Sequence, residues 1–202
     1  VGTDISLEQL EKDYDAVFIG VGAQTGRNLP ISGFSNRPQT TNAIEFLRAY
    51  EIHGDDFEIG KKVIVIGDGN VAMDVARLAR RMGSESTILS AVPREDMNCY
   101  PDEFDDAIEE GANIEYLTGT LEVLENGAGV RGVKCAKMVK KEKVEDGWNS
   151  PIPFLRYKTT DEVFEIEADM VVASIGQMTD MKGFEDSIHE NTSLLKVDKY
   201  MR

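Results

Sequence analysis

The sequence predicts an α/β fold: a parallel sheet covered in layers, with a small antiparallel sheet attached. Three observations predict it. Apolar runs of strand length alternate with helical periodicity through the middle of the chain, at 63–66, 71–82 and 86–92. The periodicity then switches to every second residue at Val130, Val133 and Cys135, the mark of antiparallel strands. Finally, 202 residues that are 41% apolar suffice for a layered core, with roughly two thirds of the chain's surface buried on folding.

The elements follow in order. In "SLEQL", Ser6 is an N-cap with an acid in the first turn, which predicts a short helix. "YDAVFIGVG", 14–22, is apolar enough for a parallel strand covered on both faces, and "NLPISG" closes that segment with Pro30 and Gly33. Gly20, Gly22 and Gly26 imitate a nucleotide fingerprint, but the residues after them cannot open a long helix whose amides would face a phosphate. They are expected to mark a strand end. "NAIEFLRAYEI" sets Ala43, Phe46, Leu47 and Tyr50 on one helical face, with Asn42 or Thr41 as cap.

Residues 63–66 form the next strand and Gly67 ends it. A helix carries Val71, Val75, Leu78 and Met82 and stops at Gly83, a C′ glycine. "STILSAV" is the following strand, so strand, helix and strand make one right-handed parallel unit. "YPDEFDDAIEEG" predicts a helix with Pro101 near its start, Asp102 and Glu103 in its first turn, and Phe104, Ala107 and Ile108 on its apolar side. "ANIEYLTG" is a third parallel strand. The alternating stretch after it carries Asn126-Gly127 as a hairpin turn pair. "ADMVVASIGQMTD" is a buried strand ending at Gly176, and the tail "NTSLLKVDKYMR" gives a last partial strand. The outer segments share a pattern, an apolar run that ends in small residues without a following helix. The expected organisation is therefore two pieces of one domain, 1–40 and 168–202, around an inserted unit at 41–167.

The chemistry concentrates in "GDGNVA". Gly67 permits a sharp exit from the strand, a side chain at Gly69 would stand where a diphosphate must lie, and small Ala72 lets helix and sheet approach. Amides around Gly69, Asn70 and Val71 would face the phosphates at the positive end of the helix dipole. Strand, GxGxxA, helix and strand together predict a Rossmann-like three-layer unit that binds NAD or NADP. Asp68 is expected to point to solvent, and Asp74 to favour the dipole. Beyond the second strand, Arg94 suits a 2′-phosphate, whereas Glu95 or Asp96 suits a free ribose hydroxyl, so the choice of dinucleotide stays open. Arg80 and Arg81 are expected on the helix surface.

Other classes are disfavoured. A balance of 22 basic against 37 acidic residues, net −15, argues against nucleic acid. Cys99 and Cys135 form no CxxC, and His53 and His189 stand alone, so no metal or iron–sulfur site is expected. No apolar run approaches the ~20 residues that span a bilayer, and no leader pattern opens the chain, which predicts a cytoplasmic, non-membrane protein.

"YDAVFIGVGAQTGRNLPISG", "IGKKVIVIGDGNVAMDVARLARRMGS", "YPDEFDDAIEEGANIEYLTG" and "ADMVVASIGQ" resemble consecutive blocks of the glutamate synthase small-subunit family, and are similar to the nucleotide-handling part of dihydropyrimidine dehydrogenase. The resemblance covers nearly the whole chain. It implies a flavoprotein whose pyridine-nucleotide domain is inserted in an FAD domain. NADPH would deliver hydride to FAD, and electrons would leave through iron–sulfur clusters to a partner domain or subunit. Gly67, Gly69, Asn70, Val71 and Ala72 match the family's phosphate loop, and Gly176 and Gln177 match a strand end near both cofactors. Where the family shows a tyrosine and an arginine pair, this chain has Ser90, Ala91 and Val92, with Arg94 as the later arginine, which keeps NADH a candidate beside NADPH.

The FAD-diphosphate motif and the family's cysteine-rich domain are not in these residues. They read as part of a longer flavin oxidoreductase, inactive and without FAD in isolation. No side-chain acid or base is nominated, because hydride transfer between two cofactors depends on proximity and orientation. The alternatives are a regulatory or assembly domain that keeps the fold without turnover, and a stand-alone enzyme reducing a small substrate.

Overall fold

The structure, a computed structural model, describes residues 2–142 and 153–184. The chain divides into two compact units, 1–25 with 177–202, and 26–176.

In the first unit, helix α1 (Leu7–Asp13) starts as expected: Ser6 Oγ accepts the Gln9 N–H at 3.1 Å. None of its residues is buried. The strand predicted over 14–22 does not form. Tyr14 is 64% and Phe18 95% exposed, and no ladder runs along the segment among the described residues. A run buried on both faces exists only with neighbours that take up its backbone donors and acceptors. The tail strand predicted after Asn191 lies outside the described residues. The two-residue strands β1 (Thr25–Gly26) and β10 (Gln177–Met178) mark the points where the chain passes from one unit to the other.

The second unit contains, in chain order, β2 (Thr40–Asn42), α2 (Ala43–His53), β3 (Lys62–Ile66), α3 (Asn70–Arg81), β4 (Glu85–Leu89), α4 (Pro101–Glu109), β5 (Asn113–Glu115), β6 (Thr118–Asn126), β7 (Gly129–Lys140), β8 (Tyr157–Glu167) and β9 (Met170–Ala173). A five-stranded parallel sheet has the order β2-β9-β3-β4-β5. Strand β9, expected in the outer piece 168–202, therefore lies inside the parallel sheet of the second unit. Its register runs Val63↔Met170 to Ile66↔Ala173 on one side and Thr40↔Val171 to Asn42↔Ala173 on the other. The reason is visible in its composition, since all four residues of MVVA are buried, as a central parallel strand requires.

Alternation along β3 builds the layers. Val63 and Val65 face a cluster with Ala72, Met73, Val75, Ala76 and Ala79 of α3, Phe46 of α2 and Ala107 of α4. Ile64 and Ile66 face the opposite way, onto Val123, Val133 and Cys135 of the antiparallel sheet β6-β7-β8. Helices thus cover one face and a second sheet the other, the three-layer α/β arrangement the sequence predicts. Each fully buried Val or Met contributes about 1.5–3 kcal/mol of transfer free energy.

Local stops and caps follow the sequence with a few corrections. Asn42 Oδ1 accepts the Glu45 N–H at 3.1 Å and so caps α2. α3 ends in a Schellman motif: Gly83, at φ 89°, donates to Arg80 O at 2.9 Å, and Ser84 donates to Ala79 O at 3.0 Å. Pro101 is the first-turn proline of α4. Ile108, expected on the inner side of that helix, is 42% exposed, because Ala107 and Phe104 take the inward positions. Asn126 pairs with Gly129, so the hairpin turns on Gly127-Ala128 rather than Asn126-Gly127. Asn126 Oδ1 accepts the Ala128 N–H at 2.8 Å, the local turn bond that asparagine favours. β8 completes the small sheet, although no strand was expected there.

Arg77 clamps α3 to α4 through Glu103, Asp106 and Glu110, and Arg81 joins it on Glu110 at 2.5 Å. The hydrogen bond from Arg81, then those from Arg77, hold the Glu110 carboxyl down at about 2. Arg80 donates to the Ser84 and Glu110 carbonyls, so both neighbouring arginines serve the helix pair. Cys99 and Cys135 are free and buried, and burial pushes Cys135 up to about 12.

Candidate functional site

The site is built at the C-terminal end of β3. The Gly67 N–H donates to Leu89 O at 3.1 Å, and the Ser174 N–H donates to Ile66 O at 2.8 Å, so β4 and β9 hold the exit of the strand from both sides. Gly67 sits at φ 131°, where L side chains are strained, and a Cβ there would run into the Ser174 carbonyl oxygen. Gly69 differs in kind. Its φ of −90° and ψ of 177° suit any residue, and a Cβ would meet no atom within 4 Å. Gly67 is thus required by the fold, whereas no atom of the described residues requires a glycine at position 69.

Gly69 is also the N-cap of α3, and it supplies no side-chain cap. Its carbonyl accepts from the Ala72 and Met73 amides at 2.9 and 3.3 Å. Asn70 and Val71 therefore lead a twelve-residue helix with amides that have no acceptor within it, at the positive end of its dipole. Ala72 is fully buried against the sheet, the close approach expected of a small residue there. A diphosphate fits this donor set: open space over a glycine, paired amides and no competing side-chain cap.

The other side chains give a less direct picture. Asp68, expected to point to solvent, turns inward. Its carboxylate accepts from Ser90 Oγ and Asn98 Nδ2, each at 3.3 Å, and its carbonyl accepts the Cys99 N–H at 3.1 Å. Burial raises its pKa, with the Asn98 and Ser90 hydrogen bonds opposing. The carboxylate turns because these donors on the segment after β4 compensate its partial desolvation. Asn70 Oδ1 accepts the Tyr100 N–H at 2.8 Å, so the second glycine-loop side chain also holds that segment. Ser90 itself is fully buried, and its single hydroxyl proton is shared between the Asp68 carboxylate at 3.3 Å and the nearer Val92 carbonyl at 2.8 Å, while its oxygen accepts the Val92 N–H at 3.2 Å.

Arg94 lies on this segment with its guanidinium 3.8 Å from the centroid of the Phe104 ring, a cation–π contact. Asp96, one of the carboxylates considered for a ribose, is instead the acceptor of the Tyr157 hydroxyl at 2.6 Å and lies 3.7 Å from Arg156 Nη1. Glu95 is exposed. Gly176, at φ 101°, follows β9, and its carbonyl accepts the Arg27 N–H at 3.0 Å. Gln177 opens β10 and belongs to the other unit. Gly67, Gly69, Asn70, Val71 and Ala72 thus form one continuous turn, with Arg94 on the segment fastened to it. Ser90, Asn98 and Tyr157 escaped sequence reading because their partners are 22, 30 and 61 residues away. Among the described residues no group of histidine, cysteine and carboxylate side chains could hold a metal, and no helix is long and apolar enough to cross a membrane.

Comparison with known proteins shows the family of the chain. Residues 4–202 match the family model of pyridine nucleotide-disulphide oxidoreductases, and the chain belongs to that family. The NADPH-Fe(3+) oxidoreductase subunit beta of Geobacter sulfurreducens is 34% identical over 192 residues, covering 93% of this chain and 28% of that protein. The NADP(+)-dependent formate dehydrogenase subunit beta of Moorella thermoacetica is 30% identical over 190 residues, covering 93% and 26%. The chain spans about a quarter of the length of these curated relatives. The expected kinship with glutamate synthase small-subunit-like FAD/NAD(P) oxidoreductases holds. Among solved structures, thioredoxin reductase from T. acidophilum superposes with a TM-score of 0.62 at 19% identity, covering 88% of this chain and 50% of that one, a likeness of fold.

Proposed function

We propose that this chain carries the NAD(P)H-binding part of a flavin-dependent oxidoreductase resembling the glutamate synthase small subunit. One observation carries the reading: Gly69 caps α3 with no side chain, no atom of the described residues would meet a Cβ there, and Asn70 and Val71 open the helix at that turn. Glycine is costly in backbone entropy, so a position whose backbone does not need it suggests room for a ligand. When bound, the nicotinamide supplies a hydride donor for FAD in the full-length enzyme. The residues of this chain bind and orient. The α3 amides take the diphosphate, Ala72 sets how close the helix stands to the sheet, and Arg94 offers a cation for a 2′-phosphate. Gly176 keeps the backbone beyond β9 free of a side chain.

The two relatives named above carry NADPH or NADP(+) in their names, and both are beta subunits, which supports NADPH as the donor and further subunits as electron acceptors. We place FAD contacts in the flanking residues, including Gln177, and an iron–sulfur partner elsewhere in the complete enzyme. Isolated, this stretch binds nucleotide without turnover. The partly buried carboxylate of Asp68 beside the phosphate loop favours a second reading, a regulatory or assembly unit without turnover, since a negative charge there weakens an anion site.

Calorimetric titration of the protein with NADPH and NADH separates the two. Micromolar binding of either is expected for the wild type. Gly69→Val should weaken that binding at least about 30-fold, or roughly 2 kcal/mol, with an unchanged unfolding midpoint. Absence of binding by the wild type would sink the dinucleotide reading in favour of the regulatory one.

A further inference from the structure

The segment between β4 and α4 carries Arg94 yet has little apolar anchorage of its own. Val92 and Cys99 are buried at its two ends and Met97 packs, partly buried, against the helix-side core, whereas none of the other residues of 93–98 is anchored in a core cluster. Beside the Met97 anchor, polar contacts set its course. One group of them ties it to the glycine turn: Ser90 and Asn98 on the Asp68 carboxylate, the Cys99 amide on the Asp68 carbonyl, and the Tyr100 amide on Asn70 Oδ1. A second tie comes from the opposite layer of the unit. Tyr157, the first residue of β8 and only 7% exposed, donates its hydroxyl to Asp96 Oδ2 at 2.6 Å, and Arg156 stands 3.7 Å from the other carboxylate oxygen.

From this arrangement we infer that Tyr157 is a positioning residue for nucleotide binding: through Asp96, the small antiparallel sheet holds the Arg94 segment against the glycine turn. The inference rests on the dinucleotide reading above. Its physical basis is the short, largely buried hydroxyl–carboxylate bond, of the charge-assisted kind that is stronger than a neutral one. Burial, with the Asp96 hydrogen bond adding to it, pushes the Tyr157 phenol up to about 12, so the hydroxyl remains a donor across the physiological range. Lys140 pairs with Tyr157 across the β7–β8 ladder, which fixes the backbone from which the ring projects. The sheet then has a role beyond covering Ile64 and Ile66. It sets where the cation of Arg94 is presented.

Two variants of the small sheet test this. Tyr157→Phe keeps the ring and removes only the donor. Val133→Ala, at a fully buried β7 position remote in sequence from the segment, loosens the same sheet without touching Asp96. Nucleotide affinity is measured by calorimetry, and amide hydrogen exchange at Cys99 and Tyr100 by mass spectrometry or NMR. Tyr157→Phe should raise the Kd for NADPH or NADH about fivefold to tenfold and speed exchange at those amides. Val133→Ala should lower the unfolding midpoint more, yet leave the Kd within about twofold. A wild type that binds while Tyr157→Phe binds equally well overturns the positioning role alone. A wild type that binds neither nucleotide overturns the dinucleotide reading itself, and the positioning role with it.

Discussion

Two stretches of this chain carry the same outward signature, an apolar run that closes on a pair of glycines. One is 14–22 with Gly20 and Gly22, the other 62–69 with Gly67 and Gly69. In the second, four consecutive residues, Val63 to Ile66, are buried as β3 between β9 and β4. In the first, Phe18 is 95% exposed and no strand forms. The glycines diverge as well. Gly67 is wedged at φ 131° against the Ser174 carbonyl, whereas a Cβ on Gly20 would meet only the Phe18 ring, a side chain free to move. Apolar composition nominates a strand, but ladder partners on both sides and a helix leading away decide it.

The largest expected effect sets these two turns against each other. Gly67→Val should cost at least about 3 kcal/mol through strained backbone and collision with β9, measured as a shift in urea midpoint. Gly20→Ala should stay within about 0.5 kcal/mol. Equal losses would show that the two turns are built alike and would break the comparison.

Caps sharpen it at the next level. Asn42 bonds the Glu45 amide and, through Nδ2, the Asn28 side chain at 3.1 Å, and it caps a helix that buries Phe46. Asn42→Ala is expected to cost about 1–2 kcal/mol of global stability. Ser6→Ala removes a similar cap from α1, which buries nothing, and should register as local fraying in hydrogen exchange with the global midpoint unmoved.

The smallest effect concerns Asp68, the residue between the second glycine pair. Its folded pKa lies above 3.8, so the folded state takes up a proton before the unfolded chain does. Ionised Asp68 therefore opposes folding at neutral pH, and this cost fades as pH falls through the folded value to below the unfolded one. Asp68→Asn should gain less than about 1 kcal/mol at pH 7, with the gain shrinking toward pH 4, and should tighten nucleotide binding about threefold by removing a charge from the phosphate turn. A gain that grows on acidification would reverse the assigned direction.

Much of the second unit was legible because its signals are local. The 3.6-residue spacing of α3, the Gly83 stop, the Asn42 cap and the GxGxxA turn each involve residues within one or two turns of one another. The turn even disclosed which glycine the fold needs and which the proposed ligand needs, once φ and the surrounding atoms could be compared. The place of β9 was not legible, because a four-residue apolar run says that it is buried but not beside which strand. Nor was β8, whose charged outer face disguises an edge strand of a sheet with only one buried side.

What the sequence determined by itself is the layered α/β unit, the turn at Gly67–Ala72 and the family kinship, all written in short-range spacing. Tertiary structure alone decided that β9 stands between β2 and β3, that Asp68 faces inward, and that Tyr157 reaches Asp96. Each of these depends on partners from 22 residues away, as Ser90 is from Asp68, to 131 away, as Val171 is from Thr40, and such pairings are fixed by which buried polar groups and ladder edges must be satisfied at once, a condition that no local pattern records.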